Sequence, residues 1–125
     1  MLDVHDNEIV SYEVDFKEKM IILRTVSEQN EKVQVVFKDV LANFFENGGH
    51  QNIIFDIVTD TIKDFIRENE KMLKEKKNMC WPMCYTDLKE LQKLLEARKY
   101  KYFFIESSHG LSGWVLAKEM EIFES

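Results

Sequence analysis

The hydrophobic period changes twice along this chain, and that double switch constrains the fold more than any other feature. From Glu8 to Val58 apolar residues tend to recur at every second position. From Ile62 to Leu95 they recur at helical spacing, and from Tyr100 onward the shorter period returns. Period two marks strands with one buried face, and period 3.6 marks amphipathic helices. The pattern predicts an α+β domain: a largely antiparallel sheet of five or more strands with two α-helices packed on one face. The 125 residues suit a single domain over 1–125.

Glu8–Phe16 alternates, with Val10, Tyr12, Val14 and Phe16 expected on one side and Ile9, Ser11, Glu13 and Asp15 on the other. Lys17–Lys19 is a polar turn. Met20–Val26 and Lys32–Lys38 read as the next two strands, and their short connections favour antiparallel neighbours. Asp39–Glu46 fits a helical stripe or a bent strand. Its shortness and the Asn47-Gly48-Gly49 turn signal favour the strand. Asn52–Val58 is apolar enough to be covered on both faces over part of its length.

One helix is expected over Thr61–Lys76, with Thr61 and Asp64 as a capping box and Ile62, Phe65, Ile66, Met72 and Leu73 as its buried stripe. A second is expected over Asp87–Arg98, capped by Asp87 with Glu90 three residues on. Leu88, Leu91, Leu94 and Leu95 form its stripe. Tyr100–Glu106 is a strand, Ser107–Gly113 a glycine-rich turn, and Trp114–Phe123 a final strand or a strand with a bend.

Charge is distributed unevenly. The net charge of −6 at pH 7 is matched by Met1–Ile57 alone, whereas Val58–Lys99 carries +2 and the remainder −2. A nucleic-acid domain would show a broad excess of Lys and Arg, so that class is excluded as an expectation. Lys71, Lys74, Lys76 and Lys77 are interleaved with acids at a helix end, where cations suit the dipole. The longest apolar runs fall far short of the roughly 20 residues of a spanning helix. With no basic, apolar leader at the start, the expected compartment is the cytoplasm. There Cys80 and Cys84 would be reduced thiols. Their spacing, with His5, His50 and His109 scattered, gives no zinc set, and neither metal nor cofactor is expected.

Catalytic signals are weak. Ser108 and His109 are the alternative catalytic candidates, for a small hydrolase or ligand-binding domain. However, a nucleophile elbow leads into a helix, and sequence adjacency does not build a Ser–His pair. Carboxylate pairs could be drawn from Glu13, Asp15, Asp39, Asp56 and Asp60, but hydrolysis needs a separation that sequence does not supply. Glu13, Asp15, Asp39 and Asp56 are instead candidates for charged contacts with a basic protein. Trp81, in the Trp81-Pro82-Met83 loop, is the candidate apolar anchor, against the alternative that this loop completes the core. Either a monomer or a homodimer is compatible with the sequence.

The segments Val14-Asp15-Phe16, Asn52-Ile53-Ile54-Phe55-Asp56-Ile57 and Ser107-Ser108-His109-Gly110-Leu111-Ser112-Gly113-Trp114-Val115-Leu116 together resemble a group of small bacterial proteins. That group is similar in size and character to cytoplasmic immunity proteins, which neutralise secreted toxins. The resemblance implies an inhibitor that works by occlusion, and it carries no motif specific to a chemistry.

Overall fold

The computed structural model describes residues 4–46 and 52–124. The Asn47-Gly48-Gly49 turn and His50 lie outside the described residues. Among the described residues eight strands form one antiparallel sheet: β1 (Glu8–Asp15), β2 (Met20–Val26), β3 (Lys32–Lys38), β4 (Ala42–Glu46), β5 (Ile53–Asp60), β6 (Lys101–His109), β7 (Ser112–Ala117) and β8 (Glu119–Glu124). Their hydrogen-bonded order is β4-β7-β6-β5-β1-β2-β3-β8.

The two ends of that order are tied by the chain itself. β3 continues into β4 after a corner at Asp39–Leu41, where Asp39 takes a positive φ of 54°. β7 continues into β8 after Lys118 alone. Pairing runs on through both corners: the Lys118 amide donates to the Lys38 carbonyl at 3.1 Å, and the Leu41 amide to the Leu116 carbonyl at 2.9 Å. The sheet therefore curls around one inner core, built from Ile9, Ile21, Leu23, Phe37, Phe103 and Val115 among others. Each such side chain, fully buried, contributes roughly 1.5–3 kcal/mol.

β1 corrects the expected facing. Its register with β2 shifts between Ile9 and Ser11, a bulge that leaves Val10 as the extra residue, 57% exposed. Ile9, Tyr12 and Val14 then lie opposite Thr25, Leu23 and Ile21, which are buried. One added residue reverses the parity of a strand, because side chains alternate with period two. Ile9 therefore joins the core, and Val10 does not.

The helices cover the outer face of β4, β7 and β6. α1 (Ile62–Glu68) and α2 (Glu70–Lys76) are two elements where one was expected, followed by a single 3-10 turn at Lys77–Met79; α3 spans Leu88–Ala97. The Thr61 hydroxyl accepts from the Asp64 amide at 3.0 Å, and Asp87 Oδ1 accepts from the Glu90 amide at 2.8 Å, so both helix starts follow the capping chemistry in the sequence. The break falls at Asn69, whose φ of −119° and ψ of 19° are not helical. Its side chain has other partners: Nδ2 donates to the Phe65 carbonyl at 3.0 Å. Phe65, Leu73, Leu91 and Leu95 pack on Ala42, Tyr102, Trp114 and Leu116 as a second core.

Two further expectations are corrected. Ser107, Ser108 and His109 belong to β6 rather than to a turn, and the connection to β7 is reduced to Gly110 and Leu111. Buried Leu111 pins it, with its amide donating to Asn52 Oδ1 at 2.7 Å. Cys80 and Cys84 are not free thiols but a disulfide. Cys80 sits in the left-handed region at φ 52°, which turns the chain back and brings the two Cα atoms to 4.1 Å.

Candidate functional site

Two surfaces stand out, both on the outer face of the curled sheet but on different strands. The first is the outward face of β1, β2, β3 and β8, away from the helical layer. Strand registers place its residues in rows. Glu13, Ile22, Val36 and Glu121 form one row, and Asp15, Met20, Lys38 and Glu119 form the next. In the first row an apolar pair, Ile22 and Val36, is flanked by acids on both outer strands; in the second Met20 shares the centre with Lys38. Val36 is buried although it faces away from the inner core. Arg24 pairs with Glu13 at 3.2 Å and Lys38 with Glu121 at 3.1 Å. These pairs are partly exposed and worth little as stability. They set a positive charge beside two of the four carboxylates of these rows.

Of the five candidate contact residues, the structure brings Glu13 and Asp15 together on this face. Asp15 also caps the β1–β2 turn, where its Oδ1 accepts from the amides of Lys17 at 3.1 Å and Glu18 at 2.9 Å. Asp39 sits exposed at the β3–β4 corner. Asp56 lies on β5 directly opposite Glu106, and its Oδ1 accepts from the Ile57 amide at 2.8 Å. Glu119 and Glu121 were missed, because only the non-local pairing of β8 with β3 brings them here. The alternation in Glu119-Met120-Glu121-Ile122 was the available signal.

Trp81 is half-buried rather than displayed. Its ring lies 5.7 Å from that of Trp114, and Lys76 Nζ sits 5.0 Å above it. It still borders a cleft of about 310 Å³ shared with Asp15 and Phe16. Phe16, 87% exposed at the tip of the β1–β2 hairpin, is the most exposed aromatic among the described residues.

The second surface is a cavity of about 460 Å³ between the sheet and the α1–α2 break. Phe44, Trp114 and Phe104 stand in one cross-strand row on β4, β7 and β6 and form its aromatic wall. Glu46 enters from β4 and Glu68 from the end of α1. Asn69 holds the two walls together: its Oδ1 accepts from the Trp114 indole N–H at 3.1 Å. Buried Tyr102 also borders the cavity. Desolvation pushes its phenol up to about 12; Glu68 and Asp60 add to the rise, and a hydrogen bond from Asn69 opposes it. Gly113 permits β4 to approach, since a Cβ there would run into the Phe44 carbonyl.

Ser108 and His109, the alternative catalytic candidates, follow Ser107 on β6. The neighbouring Ser107 hydroxyl donates to the Ile53 carbonyl at 3.0 Å. Ser108 and His109 lie at the end of β6, with the His109 backbone paired to Ile53, and their side chains fall outside the described residues. Among the described residues no three His, Cys, Asp or Glu side chains gather as a metal centre would require, and no helix is long and apolar enough to cross a membrane.

No protein-family model matches this chain, and neither the curated proteins nor the solved structures contain a significant match to it.

Proposed function

We propose that this chain is an acidic protein-binding module that acts as an immunity-like inhibitor, occluding a basic partner on the outward face of β1, β2, β3 and β8. The observation that carries the reading is the outward-facing row Glu13-Ile22-Val36-Glu121 with Asp15 and Glu119 beside it. Carboxylates around an apolar centre would steer a Lys/Arg-rich surface into place, and the apolar centre would slow its departure. Phe16, displayed at the edge of the same face, replaces Trp81 as the proposed aromatic anchor. The proposed compartment is the cytoplasm. The Cys80–Cys84 bond argues the other way, because such bonds persist in oxidising compartments; thiol titration of protein taken directly from its cells decides between them.

The test is affinity capture from native lysate with the wild-type chain and with Glu13→Lys/Glu119→Lys. The wild type should retain a basic protein that the reversed variant loses, with association slowing as salt rises. Equal capture by both chains would sink the reading. A small-molecule turnover abolished by His109→Ala would replace it with the hydrolase alternative.

A further inference from the structure

The helix-side cavity has a chemistry of its own. Its described lining contains two carboxylates, Glu46 and Glu68, and no Lys or Arg. Its sheet wall is the row Phe44–Trp114–Phe104, with Tyr102 beside it. Aromatic faces attract cations through the ring quadrupole. Carboxylates supply charge-assisted hydrogen bonds to ammonium or guanidinium groups. A recess lined by one sign of charge also concentrates the field at its mouth. An anion would meet two like charges here, and a neutral apolar ligand would have to desolvate both.

The walls are also held in place. Asn69 ends α1, bonds back to the Phe65 carbonyl at 3.0 Å and accepts from the Trp114 indole at 3.1 Å. A continuous helix with an apolar residue at that position would bring a hydrophobic side chain to the Trp114 N–H instead. Gly113 lets the Phe44 and Glu46 strand lie close against β7. Phe65, 4.9 Å from the Trp114 ring at an interplanar angle of 75°, fixes that ring from the helix side. These contacts leave the recess preorganised, which lowers the cost of filling it.

We propose that this cavity binds an organic cation, an alkylammonium or guanidinium group, with Glu46 and Glu68 as counter-charges and half-buried Phe44 and Phe104, on either side of buried Trp114, as its aromatic wall. The same chemistry is offered by a free amine and by the Lys or Arg side chain of a protein. The site lies on β4, β7 and β6, on other strands than the acidic face, and it stands whether or not that face binds a partner.

The experiment titrates the full ¹⁵N-labelled chain with butylammonium and with N-acetyl-arginine amide, following the Trp114 indole N–H. Trp81→Phe assigns that resonance. The neutral counterparts are butanol and N-acetyl-citrulline amide. The cations should give a saturable shift that the neutral compounds do not. Glu46→Gln/Glu68→Gln should weaken binding by about threefold to tenfold, as expected when two exposed charged contacts are lost. Glu13→Gln/Glu121→Gln, on β1 and β8, should leave it unchanged. Should the double cavity variant fail to fold, Glu68→Gln alone carries the comparison, since Glu68 is exposed. An arginine flanked by residues in a short peptide binding more tightly than N-acetyl-arginine amide assigns the site to a protein side chain; equal or weaker binding assigns it to a free amine. A shift that does not saturate, equal binding of the neutral compounds, or indifference to the Gln substitutions overturns the proposal.

Discussion

The indole N–H of Trp114 donates to Asn69 Oδ1 at 3.1 Å, joining the middle of the sheet to the point where the first helix breaks. Trp114 is 3% exposed, so water is a poor substitute for that acceptor. Asn69→Ala improves helix propensity by less than about 1 kcal/mol. It also leaves a buried donor unpaired, at a cost of about 1–3 kcal/mol. The second effect is larger, and the denaturant midpoint should fall. Asn69→Ala combined with Trp114→Phe should cost less than the sum of the single changes, which a double-mutant cycle measures.

Gly113→Ala tests the approach of β4 to β7. Gly113 has φ 152°, and an added Cβ would meet the Phe44 carbonyl. Backbone strain alone should cost roughly 1–3 kcal/mol, and relief of the clash requires β4 to move away. Thermal unfolding should report the loss. Amide exchange in Asn43–Phe45 should rise more than in β2, because only the former pairs with this stretch of β7.

Alkylation of the folded chain without reductant should label neither Cys80 nor Cys84, since both are in the disulfide. Cys80→Ser/Cys84→Ser should cost at most about 2 kcal/mol, because the loop that the bond closes is short and its chain-entropy term small. Two thiols reacting rapidly in the untreated protein would contradict the bond.

Alkaline pH should destabilise the fold through Tyr102. Its folded pKa, about 12, lies above the ordinary 10.0, chiefly because burial disfavours the phenolate. The phenol is protonated in both states below pH 10, so its contribution is intact there. Between 10 and 12 the unfolded chain releases the proton first, and stability falls as pH rises through that window. Tyr85 is shifted in the same direction by burial and adds to the effect. Unfolding midpoints measured across this range should drop for the wild type and drop less for Tyr102→Phe.

The residues that declared themselves in sequence were those whose roles are local. Thr61 and Asp87 cap helices because the cap needs only the next three residues. The strand at Lys32–Lys38 follows from its own alternation. Legibility ended where a role depends on distant chain. The Val10 bulge reverses the facing of Ile9, yet nothing in Glu8–Phe16 marks Val10 as the extra residue. Asn69 looks like an ordinary polar position until Trp114, 45 residues on, supplies a donor. Ser107–Gly113 has turn composition but is drawn into strands by pairing with β5 and β4. Of the contact candidates, Glu13 and Asp15 share a face because one strand carries both. Glu119 and Glu121 join them only through the β3–β8 ladder, and the aromatic recess needs three strands and a helix end to exist at all.

The helical layer leaves the sheet and returns to it at neighbouring points. β5 ends at Asp60 and β6 begins at Lys101, and Asp60 is paired with Tyr102 across the ladder. Everything from Thr61 to Tyr100 is therefore an excursion from a single hairpin, and no strand has to separate for that excursion to lift. Such a layer is expected to open as its own cooperative unit, with α1–α3 amides exchanging through a smaller event than the amides of β2 and β3. In that event the curled sheet keeps its pairing while the cover lifts, and the aromatic recess lies on the seam between the two.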